Sequence, residues 1–184
     1  MTETTSERHD ARFAPGAVEP DLERWGLAVA WAACAVGLLY AAISVYWLLG
    51  GTWLLDTVGG SLAKLGRAHS AGVIAAVWGA AALKLIAAVL PLLAVHHRGS
   101  SRRDHGLWVL AWIAAGVLIV YGLVLTAAGL LVQTDVIHAS STADHRALAW
   151  HAYLWDPWFL LWGLLIAAAL LLSDRARGAR HSRR

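Results

Sequence analysis

The chain has 184 residues, of which 59% are hydrophobic and only 15% are charged, and its formal net charge is +3. An average soluble domain carries roughly 25% charged residues, so this composition excludes an ordinary soluble domain and indicates a protein whose solvent is the lipid bilayer. The single cysteine, Cys34, also excludes a CxxC redox pair and an intramolecular disulfide.

The first 24 residues are polar, mixed in charge and interrupted by Pro15 and Pro20. Such a segment cannot bury enough apolar surface to fold, so we expect a disordered N-terminal tail over 1–24. A transmembrane domain is predicted to follow over 25–172. The last residues, 173–184, are predicted to be a basic C-terminal tail.

Four apolar segments are long enough to cross the hydrocarbon core, which takes about 20 helical residues. Lipid offers backbone groups no hydrogen-bond partner, so all four should be helices. The fold class predicted is therefore an all-α integral membrane four-helix bundle with two semi-apolar outer loops. The segments run from Trp25 to Leu49, from Ala71 to Val95, from Leu107 to Val132, and from either Trp150 or Pro157 to Leu172.

Positive charge is distributed unevenly over the segments that connect these spans. Eleven arginines lie in the two tails and the second loop, whereas only three basic residues lie in the first and third loops. The positive-inside rule then predicts that both termini are cytoplasmic, and we expect a bacterial plasma membrane. Basic tails beside spans meet anionic lipid headgroups, so the pI near 9.4 needs no nucleic-acid partner.

Aromatic and polar side chains recur at helical spacing on the first and last spans. If the two stripes face each other, they form an aromatic-walled pocket that opens outward and suits a lipid-like, quinone-like or cationic group. The alternative is an aromatic belt, in which the tryptophans anchor the protein at the membrane surface. The stripes are Tyr40, Ser44 and Trp47 on the first span, and Trp155, Trp158 and Trp162 on the last.

The two middle spans carry stripes of small residues, which favour close helix packing. One stripe is Gly72, Ala75, Gly79 and Ala82, and the other is Gly122, Thr126, Gly129 and Gln133. Lys84 lies well inside the second span. A charge inside a membrane is a candidate functional group, although the long lysine side chain can also extend toward the surface.

The last span begins with "HAYLWDPWFLLWGLL", in which Asp156 and Pro157 interrupt an apolar run. Proline is tolerated at the first helical position, and aspartate is a favoured N-cap, so we predict that the helix begins at Pro157 with Asp156 as its cap. The preceding residues would then be a separate interfacial segment or a kinked extension. In the alternative, functional interpretation, Asp156 or Asp56 is a catalytic acid, with His151 as a further candidate.

Histidines at the span ends raise the question of metal or haem. His69, His138 and His151 are weak candidates for a metal site, because no HExxH or similarly tight spacing supports them. No pair of histidines has a haem-binding motif either. We therefore predict no metal and no cofactor.

The stretches "SVYWLLGGTWLLDTVGG", "VLIVYGLVLTAAGLL" and "HAYLWDPWFLLWGLL" resemble a family of small bacterial four-helix membrane proteins known only as a domain of unknown function. The resemblance covers about 25–172, and its most specific elements are GGTW and WDPWF. It implies the four-span fold and no activity, cofactor or site residue.

Three hypotheses remain. The first is a noncatalytic membrane protein that contacts lipid and binds a protein or lipid-like partner. The second is a small integral membrane enzyme with an outward-facing tryptophan-lined pocket and an aspartate as acid. The third is transport or haem-based electron transfer, with Lys84 or a haem as the working group.

Overall fold

The computed structural model describes residues 18–58, 71–97, 101–138 and 144–182, and all regular structure in these ranges is helical. Four of the helical runs are long and apolar enough to cross a membrane, which confirms the predicted all-α membrane bundle. The elements are α1 (Val18–Leu48), a short 3-10 turn (Leu55–Thr57), α2 (Ala71–His96), α3 (Arg102–Gln133), α4 (His145–Trp150), a π-helical turn (His151–Trp155) and α5 (Asp156–His181).

The predicted N-cap at Asp156 is wrong. Asp156 has helical backbone angles, φ −80° and ψ −42°, and the residues before it are already helical. The cap of this run is Asp144, whose side chain accepts a hydrogen bond from the Ala147 N–H at 3.1 Å. The alternative, a helix that extends upstream of Pro157, is therefore the one that the structure shows, and the membrane-spanning run covers His145–Ala179.

The π-helical turn explains how the helix passes Pro157 without ending. Proline has no N–H to donate, so a regular α-helix would lose one backbone bond at this point. Just before the proline, the Asp156 N–H bonds to the His151 carbonyl, five residues back instead of four. Such π-bulges are rare, and they occur frequently at functional sites.

Two other helices begin earlier than the apolar segments do. α1 begins at Val18 rather than at Trp25. α3 begins at Arg102, where Ser101 and Asp104 form a capping box: the Asp104 N–H bonds to Ser101 Oγ at 3.2 Å. In α3, polar residues that satisfy the first turn therefore extend the helix upstream of the apolar segment.

α5 packs antiparallel against both α1 and α3, and α2 packs mainly against α1. Small residues permit the closest approaches. A Cβ atom on Gly122 would collide with the Leu160 backbone, and one on Gly129 would lie 2.8 Å from the Ala152 Cβ. The packing stripe predicted on α3 is thus confirmed at these two glycines.

The stripe predicted on α2 does not pack within the described part of this chain. A Cβ atom on Gly72 or Gly79 would meet no other atom within 4 Å, and Ala75 and Ala82 are exposed. α2 instead turns Ala81, Lys84 and Ala88 toward its neighbours. The reason is physical: small residues allow a close contact, but they do not say which helix makes it.

Candidate functional site

The two aromatic stripes meet at one end of the bundle. We call this the aromatic end. It contains the C-terminal ends of α1 and α3 and the N-terminal ends of α2 and α4. The centroid of the Tyr40 ring lies 5.7 Å from that of Trp155, 6.1 Å from that of Trp158 and 4.7 Å from that of Phe159. Trp47 lies 5.7 Å from Trp155. We call these five residues the aromatic cluster.

The rings of the aromatic cluster contact one another, so side chains occupy the space between the stripes. Most pairs are edge-to-face, a geometry that stabilises aromatic packing. Trp155 is only 2% exposed and Trp162 only 1%, which excludes a lipid-facing belt role for these two residues. Trp25, Trp31 and Trp53 are exposed, as belt residues would be. The sequence patterns do not single out Phe159, nor Tyr121, which packs against it at 5.1 Å.

Lys84 is bound by α1. Its Nζ donates a hydrogen bond to Ser44 Oγ at 2.8 Å and lies 4.2 Å from the centroid of the Tyr40 ring. The Ser44 hydroxyl in turn contacts the Tyr40 carbonyl at 3.4 Å, one helical turn back. An ammonium over an aromatic face is attracted by the ring quadrupole. Two predicted pocket residues, Tyr40 and Ser44, therefore hold this cation inside the bundle.

Asp156 and His151 form a pair across the π-helical turn. Asp156 Oδ1 lies 3.2 Å from His151 Nδ1, and the side chains are 6% and 35% exposed. Nε2 of the same imidazole lies 3.4 Å from the Val58 carbonyl. The carboxylate is therefore buried with a histidine partner, as a buried charged group requires.

Two buried polar atoms near this region have no hydrogen-bond partner among the described residues: Thr126 Oγ1 and Trp162 Nε1. The approaches of Gly122 to Leu160 and of Gly129 to Ala152 set the register of α3 against the last helix. Thr126 lies between these two approaches on α3. The structure thus brings together a carboxylate and an imidazole at the aromatic end.

A short segment after α1, residues 52–58, lies against the aromatic cluster, and we call it the strap. Trp47 Nε1 donates to the Trp53 carbonyl at 2.8 Å, and Trp155 Nε1 donates to Thr57 Oγ1 at 3.1 Å. Thr57 Oγ1 also donates to the Leu54 carbonyl at 2.6 Å. The catalytic candidate Asp56 belongs to the strap, but its side chain lies outside the described residues.

The metal candidates are not brought together in the described part of the chain, where no three His, Cys, Asp or Glu side chains form a group that could hold an ion. His138 is exposed after α3, and His69 lies outside the described residues. His151 faces Asp156 and Val58.

An open apolar concavity of about 540 Å³ lies on the outer side of α3, next to the aromatic cluster through Tyr121. Its lining is Gly116, Val117, Val120, Tyr121, Val124 and Leu125. Apolar walls that face the bilayer suit an acyl chain or an apolar helix.

Comparison with known proteins identifies the family. A family model described as "Protein of unknown function (DUF3995)" matches residues 37–166, which include the whole aromatic cluster, the GGTW element and the WDPWF element. The match covers well over half of the chain, so the protein belongs to this family, and the resemblance to a domain of unknown function is confirmed over residues 37–166. No curated protein and no solved structure matches the chain.

Proposed function

We propose that this member of the DUF3995 family is a noncatalytic membrane protein, which acts by binding another transmembrane helix through the outer face of α2. The four apolar helices already identify a multi-pass membrane protein in contact with lipid. The proposal adds that the protein acts by contact between α2 and a partner helix within the bilayer. Its polar groups mainly hold its own helices together.

The observation that carries the proposal is the outward orientation of the α2 stripe. Gly72, Ala75, Gly79 and Ala82 recur every three or four residues, so they lie on one side of the helix. All four are exposed, and no atom of the described residues lies within 4 Å of a Cβ built on either glycine. In membranes, small residues at this spacing let two backbones approach closely, which favours association of helices.

The aromatic end supports the same proposal. Lys84 is bonded to Ser44, Asp156 is paired with His151, and the Trp155 indole is bonded to Thr57. Each of these groups has an intramolecular partner, and rings fill the space between them. Such an arrangement is typical of a cluster that fixes the positions of helices.

The test substitutes Gly79→Ile and measures the size of the complex that a polymer such as styrene–maleic acid extracts from native membranes. A branched side chain at Gly79 keeps a partner backbone away, while open space around Gly79 leaves the fold intact. We expect the wild type to run as a complex and Gly79→Ile to run as the 19.7 kDa protomer with its lipid.

The matched control is Gly116→Ile, the same change at a lipid-facing position of α3 that also has open space. It should leave the complex unchanged. A wild type that already runs as the protomer would contradict the proposal. So would a complex that survives Gly79→Ile and dissociates in Gly116→Ile, because the contact would then lie on the α3 concavity.

We further propose that both termini are cytoplasmic and that the membrane is a bacterial plasma membrane. The support is the excess of arginine in the tails and in the loop between α2 and α3. Reporter fusions after Arg98 and after Ser173 should report the cytoplasm, and fusions at Ser61 and Ser140 should report the outside. A cytoplasmic signal at Ser61 would reverse the topology.

A second candidate function is a small membrane enzyme in which Asp156 and His151 act as an acid and base pair. The observation in its favour is that the buried carboxylate orients an imidazole that is one third exposed. Asp156→Asn keeps the hydrogen bond and removes the ionisable group, so a folded, abundant and inactive variant would favour this candidate over the first.

A further inference from the structure

The strap, residues 52–58, lies over the aromatic cluster, and its connections to the bundle are made by side chains. From α1, Trp47 Nε1 donates to the Trp53 carbonyl at 2.8 Å, and the Tyr46 hydroxyl accepts from the Trp53 N–H at 3.4 Å. From the π-helical turn, Trp155 Nε1 donates to Thr57 Oγ1 at 3.1 Å. Each end of the strap is thus fastened by an indole N–H.

The strap is also a unit in itself. The Leu55 N–H bonds to the Thr52 carbonyl at 3.0 Å, and the Thr57 N–H bonds to the Leu54 carbonyl at 3.0 Å. Leu54 has a left-handed backbone conformation, φ 62°, that a leucine rarely adopts. Two hydrogen bonds from Thr57 to its carbonyl hold it there. The segment therefore has a fixed internal shape.

Glycine pairs bracket the strap in the sequence: Gly50 and Gly51 before it, and Gly59 and Gly60 after it. Gly50 has φ +89°, and it ends α1 as a left-handed cap: the Gly50 N–H bonds to the Trp47 carbonyl at 3.1 Å and the Gly51 N–H bonds to the Tyr46 carbonyl at 2.9 Å. Glycine crosses such backbone regions at little cost, so it can absorb the change of angle that a hinge requires. The strap thus leaves α1 through a glycine, at the position where a change of backbone angle costs least.

The strap contacts two residues of the π-helical turn, Trp155 through Thr57 and His151 through Val58. Thr57 itself is 4% exposed, Trp155 is 2% exposed and Asp156 is 4% exposed. The His151 ring contacts the strap directly, through the Val58 carbonyl at 3.4 Å. Displacing the strap would uncover Trp155 and Nε2 of the His151 ring, whose Nδ1 faces Asp156.

We propose that residues 52–58 form a lid, which swings as one body about Gly50 and controls access from the aromatic end to Trp155, His151 and Asp156. This inference does not depend on the proposed α2 contact. Because the lid moves as one body, releasing its α1 side must also expose its other end, at Thr57.

The experiment places a reporter thiol at the far end of the lid. In a Cys34→Ala background, Val58→Cys supplies one thiol that is partly buried when the lid is closed, and it leaves the bond between Trp155 Nε1 and Thr57 Oγ1 in place. The rate at which a water-soluble maleimide labels this thiol in lipid nanodiscs measures how often the lid opens. Trp47→Phe then removes the indole donor from Trp53 and keeps an aromatic ring against Trp155.

We expect Trp47→Phe to raise the labelling rate of the reporter thiol about five-fold, as the loss of one hydrogen bond predicts. Tyr46→Phe removes only the 3.4 Å contact and should raise the rate about two-fold. Trp25→Phe, the same aromatic change at an exposed residue on the opposite end of α1, should leave it unchanged.

Tyr46 is 44% exposed, so Tyr46→Phe serves as the test if Trp47→Phe fails to fold. Two results would overturn the lid. One is an unchanged labelling rate when the α1 fastenings are removed from folded protein, since the two ends would then move independently. The other is labelling of Val58→Cys, with Trp47 and Tyr46 both in place, at the rate of a free thiol, since the lid would then not be closed.

Discussion

At the scale of single residues, Asp156 pairs with a side chain, that of His151, and does not cap a helix. Its carboxylate is buried, and its Oδ1 lies 3.2 Å from Nδ1 of His151, on the π-helical turn that precedes it. Five residues separate the two along the chain, and the widened turn brings them onto one side. The hydrogen bond thus compensates the burial of the carboxylate.

This pairing makes a prediction that separates it from a capping role. A cap needs any short oxygen acceptor, so Asp156→Ser would preserve a cap, whereas a serine hydroxyl is too short to reach His151. We expect Asp156→Asn to cost less than about 1 kcal/mol, and both Asp156→Ser and Asp156→Ala to cost about 1 to 3 kcal/mol. Thermal melting in one detergent gives all three values, and a serine variant as stable as the asparagine variant would contradict the pairing.

The hydrogen bond between Lys84 and Ser44 predicts that removing one of its two partners costs more stability than removing the other. Ser44→Ala leaves the ammonium inside the bundle without its acceptor, so we expect it to cost about 1 to 3 kcal/mol of stability. Lys84→Met removes the charge and keeps the length of the side chain, so it should be nearly neutral. Melting of both variants tests the pair. If Lys84→Met is the more damaging of the two, the ammonium stabilises the bundle by more than the serine contact.

The sequence can point to these residues but cannot pair them. It predicts Asp156 as a cap because aspartate before proline is the usual start of a helix, and the π-helical turn that overrides this rule has no sequence signal of its own. Lys84 stands out as a charge inside a span, whereas its partner, Ser44, lies forty residues away in the chain. Neither spacing nor composition specifies a contact between two helices.

At the scale of helices, the closeness with which two backbones can approach determines how the helices pack. Gly122 meets the Leu160 backbone, so any larger residue there must push α3 away from α5. Hydropathy alone locates all four spans, since an apolar run of this length has no other stable form in lipid. The α3 stripe is the packing face that its composition predicts, whereas the α2 stripe has the same composition and faces outward.

The prediction at this scale compares two glycines of the same helix. Gly122→Ala adds a methyl group where there is no space and should cost about 1 to 3 kcal/mol through overpacking. Gly116→Ala adds the same group in open space and should be neutral or stabilising by up to about 1 kcal/mol, because alanine is the better helix former. Equal melting temperatures for the two variants would contradict the packing of α3 against α5.

At the scale of the whole molecule, the buried polar groups and the outward-facing small or apolar residues lie in different parts of the bundle. The aromatic end holds paired polar groups and closely packed rings, while α2 and α3 turn small or apolar faces outward. We therefore assign stability to the aromatic end and partner binding to α2. If the protein were an enzyme, its function would depend on the aromatic end instead, and it would be lost when an ionisable side chain there is replaced by a neutral one.

The most direct test of this assignment is the ability of two variants to restore function in cells that lack the gene. Asp156→Asn removes ionisable chemistry and keeps the hydrogen bond to His151, whereas Gly79→Ile alters only the outer face of α2. With both variants expressed at equal levels in the membrane, we predict that Asp156→Asn restores function and Gly79→Ile does not. Restoration by Gly79→Ile together with failure of Asp156→Asn would contradict the assignment and place the function at the carboxylate.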